Sequence, residues 1–147
     1  MKKIVFIAAL LAASFSTTAL AGDTASDKDA KQYFVNLKDG DTVSSPLKII
    51  FGLSGMGVAP ATVDKENTGH HHLFIDRPPL GEGEDGNDEF DANISADEHN
   101  VHFGKGQTEV TITLSPGKHT LQLVLGDKDH IPHNMPVFSE VITITVK

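Results

Sequence analysis

The stretch TEVTITLSPGKHTLQLVL, residues 108–125, reads as two strands separated by a turn. Val110, Ile112 and Leu114 alternate with Thr111 and Thr113, and Leu121, Leu123 and Leu125 share one face of the second run. This is the two-residue period of half-buried strands. Pro116-Gly117 interrupts both patterns, so the spacing predicts a hairpin around that pair. Downstream, FSEVITITV (138–146) alternates again, with Ile142, Ile144 and Val146 opposite Val141, Thr143 and Thr145.

Working back towards the N-terminus, YFVNL (33–37) and PLKIIFGL (46–53) read as short strands, with the turn-rich KDGDTVSS between them. The segment 54–69 carries three glycines and one proline and reads as a connecting loop. It leads into HHHLFID (70–76), a strand whose apolar residues are Leu73, Phe74 and Ile75, ended by RPPLGEG, which continues neither sheet nor helix. Residues 81–97 hold seven acidic side chains, with Phe90 and Ile94 as possible anchors, and read as an exposed loop. No stretch after residue 22 shows the helical period. Six to seven short strands with turn signals between them define an all-β chain, and the expected architecture is an antiparallel immunoglobulin-like β-sandwich. The chain has neither Cys nor Trp, so the expectation concerns architecture and not an antibody-type core.

The N-terminus reads as a secretory signal peptide over residues 1–21. Lys2 and Lys3 form its basic start, IVFIAALLAA its apolar centre, and Ala19-Leu20-Ala21 a small-x-small cleavage site. Cleavage after Ala21 and a periplasmic location are the resulting expectations. Residues 22–31 read as a flexible lead-in and 32–147 as one domain. The apolar run is shorter than the roughly 20 residues of a membrane span, so no membrane insertion is expected. Losing Lys2 and Lys3 with the leader leaves ten basic residues against twenty acidic ones. That excess argues against nucleic acid and anionic lipid and favours cationic ligands.

All eight histidines follow Gly69. On a strand, His70 and His72 share a face while His71 points the other way, into the core or behind the ligands. A His-x-His pair arrives already oriented, and neutral imidazole suits copper, zinc and nickel. His99/His102 and His130/His133 have H-x-x-H spacing, which a loop can fold onto one ion. The candidate metal ligands are His70, His72, His102, His130 and His133, and the expected cofactor is copper or zinc. Met135 is a soft ligand that would favour copper. His119 has the parity of Leu121 and reads as a packed core residue. Asp85, Asn87, Glu89 and Asp91 alternate like calcium ligands, but Phe90 stands where a calcium loop needs glycine, and a solvated loop explains them better.

The runs GHHHLFID (69–76), VHFGKGQTE (101–109) and PGKHTLQLVLGDKDHIPH (116–133) together resemble an uncharacterised family of small exported bacterial proteins, catalogued only as a domain of unknown function. The resemblance covers roughly Val43 to Lys147 and implies export and a β-rich domain, with no established activity. Three functions follow from the residues. The favoured one is a periplasmic His-rich metal-binding module, a buffer or carrier for copper or zinc. The others are a non-catalytic envelope module that binds an unknown protein partner, and a metal-dependent enzyme resembling a copper/zinc superoxide dismutase. Catalysis is the less favoured role, because no nucleophile signature appears and a disulfide cannot form. If imidazoles are the ligands, metal affinity falls as pH drops through the imidazole range near 6.5. An affinity that stays flat in titrations from about pH 8 to about pH 5 would contradict imidazole ligation.

Overall fold

The computed structural model describes residues 22–147, so the signal peptide read over 1–21 lies outside the described residues. Nine strands run in the order β1 (Lys31–Phe34), β2 (Thr42–Val43), β3 (Leu47–Ser54), β4 (Gly57–Val58), β5 (Thr68–Ile75), β6 (Asn100–His102), β7 (Glu109–Ile112), β8 (Gly117–Gly126) and β9 (Ile142–Val146). The expected count was six to seven, and three of the nine are pieces of two or three residues, β2, β4 and β6, too short to print an alternation on the sequence. Among the described residues one 3₁₀ turn spans Gly86–Phe90. No helix among the described residues is long and apolar enough to cross a membrane.

The strands form a β-sandwich. A three-stranded sheet has the order β1-β3-β7, and a six-stranded sheet has the order β2-β9-β8-β5-β4, with β6 also paired to β5. Most neighbours are antiparallel, but β2 runs parallel to β9 and β4 parallel to β5. Leu47, Ile49 and Phe51 from the small sheet meet Leu73, Leu121, Leu123, Ile142, Ile144 and Val146 from the large one, with Phe103 beside them. These are the alternate residues of each strand, so the two-residue period translates directly into one apolar layer between sheets.

The hairpin expected around Pro116-Gly117 does not form. β7 pairs with β3 in the small sheet, whereas β8 pairs with β5 and β9 in the large one, so the chain changes sheets over residues 113–116. Alternation identifies which face of a strand is buried. Both strands bury that face in the same core from opposite sides, and the turn signal is equally compatible with a crossover.

The lead-in is also bonded. Ala25 bridges Asn134, the Asn134 amide donates to the Thr24 carbonyl, and the Thr24 hydroxyl donates to Asp127. The outer face of the large sheet is partly roofed by the long segment between β5 and β6. Leu80 and Ile94 of that segment pack on Phe74 and Val124, with Phe90 at the margin. The acidic residues of the loop stay largely outside. Glu89 is the exception, because it pairs with Arg77 and accepts the Gly81 amide.

Leu123 is fully buried at the centre of the inter-sheet layer. Leu123→Ala should lower the unfolding free energy by about 2–5 kcal/mol, measured by urea titration. A loss below about 1 kcal/mol would mean that the two sheets do not share this core.

Candidate metal centre

Strand β5 is covered on both edges, by β8 on one side and by β4 and β6 on the other, and both of its faces are buried. His71 faces the small sheet, its ring 5.1 Å from that of Phe51. His70 and His72 project from the opposite face, as the parity of the sequence requires. Their Nε2 atoms lie 3.1 Å apart, so one ring donates to the other. Across the ladder His72 pairs in register with His102 of β6, which places His102 on that same outer face. The ring centroids of His70 and His72 are each 5.0 Å from that of His102.

The fourth imidazole comes from a loop. Just past β8 the chain turns at Asp127, and His130 adopts φ 68°, a left-handed conformation uncommon for a side-chain-bearing residue. This turn brings the His130 ring to 4.6 Å from His102 and 4.9 Å from His70. Two glycines make room for the rings. A Cβ on Gly126, opposite His70 in the β5–β8 register, would stand 3.0 Å from His72 Nε2, and one on Gly104 would stand 2.3 Å from His102 Cε1.

The ligand atoms of His70, His102 and His130 all lie within 4.8 Å of one another, so the cluster can hold a metal ion. His72 Nε2 adjoins the same set through His70. Two nitrogens bound to one ion at about 2.0–2.1 Å stand about 3.3 Å apart in a tetrahedral array. The 3.1 Å separation of His70 and His72 is that of a hydrogen bond between the rings, and it lies close to the spacing two ligands of one ion would have. Two cluster atoms, His72 Nδ1 and His102 Nε2, are buried without a hydrogen-bond partner. Buried polar atoms of native proteins rarely stay unsatisfied. Asn100, diagonal to His72 across the ladder, favours the charged form of that ring, although Asn100 Oδ1 and His72 Nδ1 stop short of full hydrogen-bond geometry.

Desolvation sets the charge state. Burial first, and then repulsion from His130 and His102, lowers His70 from 6.5 to about 4. Burial lowers His72 further, with His70, His102 and His130 adding to the effect. His102 is shifted down by burial and by His130. These rings are neutral at neutral pH and keep a lone pair for a cation.

The other sequence candidates lie elsewhere. His133 is fully buried, but its Nε2 donates to the Thr68 carbonyl and its ring lies against Gly69, on the side of β5 that faces Leu125. The structure does not bring it into the group formed by His70, His102 and His130. His99 bonds the Ile75 carbonyl through Nδ1 and stays exposed. Met135 is 50% exposed beside the lead-in, where its carbonyl accepts the Ser26 hydroxyl. In the acidic loop, Glu89 is committed to Arg77 and Asp91 accepts the Gly22 amide, so the calcium-like alternation forms no cluster. His119 is buried as expected, yet it is a polar clasp and not only a packed ring. Nδ1 donates to Asp76 at 2.6 Å and Nε2 donates to the Ser115 carbonyl at 2.8 Å. Those bonds raise its pKa, Asp76 contributing most.

A β-sandwich with four imidazoles gathered on the outer face of its larger sheet is thus the class defined by fold and site. The chain belongs to the family described as a domain of unknown function, DUF4399, whose model matches residues 49–147. No curated protein and no solved structure matches it. Asn100 and Asp127 are the residues of the site that sequence reasoning passed over. A signal for Asp127 was present, since it directly follows the strand that carries Leu121, Leu123 and Leu125 and opens the loop of His130.

The lowered pKa values fix a sign for acid stability. His70, His71 and His72 titrate below 6.5 when folded, so the unfolded chain binds more protons as pH falls under 6.5 and folding weakens. His119 acts oppositely, its contribution being present below 6.5 and lost as pH rises through its raised value. Denaturant unfolding of chelator-treated protein should show stability falling between about pH 6.5 and about pH 4, since His102 is lowered as well and the four lowered histidines outweigh the one raised. Stability that is level or rising over that interval would mean that these rings are not held neutral.

Proposed function

We propose that the protein is an exported, histidine-rich metal-binding module that holds one copper or zinc ion in the periplasm, as a buffer or carrier and not as an enzyme. The observation that carries this reading is the convergence of four imidazoles, His70, His72, His102 and His130, from two strands and one loop. Nitrogen-only ligands suit copper and zinc. Calcium, magnesium and manganese prefer carboxylate and carbonyl oxygen, which the cluster lacks. The basic start, apolar run and Ala19-Leu20-Ala21 of the N-terminus support export.

Two ligands on one central strand reduce the ordering that binding requires, since their backbone is already held by ladders on both sides. Because burial keeps His70, His72 and His102 neutral below 6.5, protons compete with the metal at lower pH than they would at free imidazole.

The test is elemental analysis of untagged protein for copper, zinc, nickel and calcium, followed by titration of the stripped protein. Stoichiometric copper or zinc is expected. His70→Ala, His72→Ala and His102→Ala should each weaken binding by more than the roughly 10–100-fold that loss of an outer-shell partner costs. His133→Ala should weaken it less. Binding that survives the first three changes intact, or that is absent below about millimolar metal, would overturn the reading and leave recognition of an envelope partner as the function to pursue.

A further inference from the structure

Asn100 sits where the apolar patch and the imidazole cluster meet on the outer face. In the β5–β6 ladder it lies opposite Phe74, and His102 lies opposite His72. By strand parity both β6 side chains project onto that face, while Val101 between them packs against the inter-sheet core. Asn100 is 1% exposed. Burying an amide beside Phe74 is costly unless its polar atoms are bonded. One of them is, since Asn100 Nδ2 donates to the Ser95 carbonyl at 2.6 Å. That bond also fixes the sense of the amide, because a carbonyl only accepts and the atom facing it must be the NH₂. Oδ1 is left as a pure acceptor, and it is buried with no partner.

A donor for it stands on the diagonal. His72 shares the outer face with Phe74, and diagonal neighbours across a ladder come within reach of long side chains. Its Nδ1 is likewise buried without a partner. The other unpartnered nitrogen of the cluster, His102 Nε2, is turned towards Gly104, at the end of β6 away from Asn100. An orphan acceptor and an orphan ring nitrogen on neighbouring positions of one sealed face satisfy each other when the nitrogen carries a proton. The second ring nitrogen of His72, Nε2, lies 3.1 Å from His70 Nε2. A neutral imidazole holds one N–H, so a proton on His72 Nδ1 leaves a lone pair on its Nε2, and His70 then donates the bond between the rings.

We infer that Asn100 is a positioning residue of the proposed metal centre: its Oδ1 accepts the Nδ1 proton of His72 and so holds that ring in the tautomer whose Nε2 lone pair faces the cluster. This inference rests on the metal-binding reading above. Asn100 does not touch the ion. It acts as the group behind a metal-ligating imidazole, which takes the far ring proton and fixes the orientation of the ring. The two strand ligands are then unequal. His72 ligates through Nε2 without moving a proton, whereas His70, which bears the proton between the rings, ligates through Nε2 only after shifting that proton to its own Nδ1.

Long-range proton–nitrogen NMR of metal-free protein carrying isotope-labelled histidine reads the tautomer directly, at a pH above the imidazole range. The expected result is a proton on His72 Nδ1 in the wild-type protein and in Asn100→Asp, which keeps an acceptor, and its loss from Nδ1 in Asn100→Leu, which has none. A wild-type His72 protonated at Nε2, or an Nδ1 proton that persists in Asn100→Leu, would overturn the inference. The wild-type spectrum alone decides the first of these, so the test survives if Asn100→Leu does not fold. Zinc titration of the same three proteins reads the consequence. Asn100→Leu should lose about 10–100-fold in affinity, as on removal of other outer-shell partners, and Asn100→Asp should lose less. Both substitutions forfeit the bond to Ser95, so equal losses would trace the effect to the turn before β6 and also overturn the inference. Wild-type protein that shows the Nδ1 proton but binds no zinc would refute the metal-binding reading, and with it the role of Asn100, while leaving the Asn100–His72 bond established.

Discussion

Strand β5 has no solvent-facing side, and the candidate site depends on that constraint. Flanked by strands on both edges, it must bury every side chain from Gly69 to Phe74, and three of those side chains are imidazoles. Strand geometry then separates them without any further instruction. His71 and Leu73 enter the inter-sheet layer, while His70, His72 and Phe74 enter the outer one. Each layer treats its histidine differently. His71 finds Phe51 for its ring and the Gln32 amide for Nδ1, while its Nε2, like the cluster's His72 Nδ1 and His102 Nε2, is buried without a partner. His70 and His72 find mainly one another, with His102 and His130 closing around them.

Burying several imidazoles against each other works against folding unless something offsets it. Each ring loses its hydration, and protonation of one raises the cost of protonating the next, so the cluster responds by staying neutral. Neutrality leaves lone pairs directed into a space where hydrogen-bond donors are scarce, and His72 Nδ1 and His102 Nε2 remain unmatched. A protein selected only for stability would fill this face with apolar side chains, as the patch of Phe74, Val124, Leu80 and Ile94 does on the same sheet. The apolar patch and the polar cluster share a strand, a roof and a face. The polar half is therefore better understood as a site than as packing.

The sequence made the strands, their buried faces and the His70/His72 parity legible, because each depends on a two-residue period within one segment. It left strand partners unread. Val110 and Ile112 show the same alternation as Leu121 and Leu123, and nothing local records that β7 lies in the opposite sheet. The short strands β2, β4 and β6 escaped for the same reason, since pairing and not pattern defines them. Among the site residues, His70 and His72 could be grouped by periodicity. His102 could join them only through the register of β5 with β6, and His130 only through a left-handed turn that no apolar period announces. H-x-x-H spacing grouped His130 with His133, yet the left-handed turn at His130 leaves the His133 ring against Gly69 while His130 joins the cluster. The lead-in looked structureless because its residues are small and polar, and its order comes from backbone bonds to residue 134, more than a hundred positions away.

The division of labour among the four imidazoles follows from where each is attached. His70 and His72 are fixed by a central strand and change position only if the sheet does. His102 sits on a three-residue edge strand, and His130 on a loop whose shape depends on one buried carboxylate and on a lead-in from the far end of the chain. The rigid pair forms the floor of the cluster and the more exposed pair its rim, so an ion entering from solvent would meet the adjustable ligands first. Such a gradient suits a site that must take up and release its ion, because the two rim rings can disengage without opening the core. A structural metal would be expected to tie together parts of the chain that cannot otherwise pack. Here the inter-sheet core lies on the face of β5 away from the cluster, so an ion held by the imidazoles would not be part of that core.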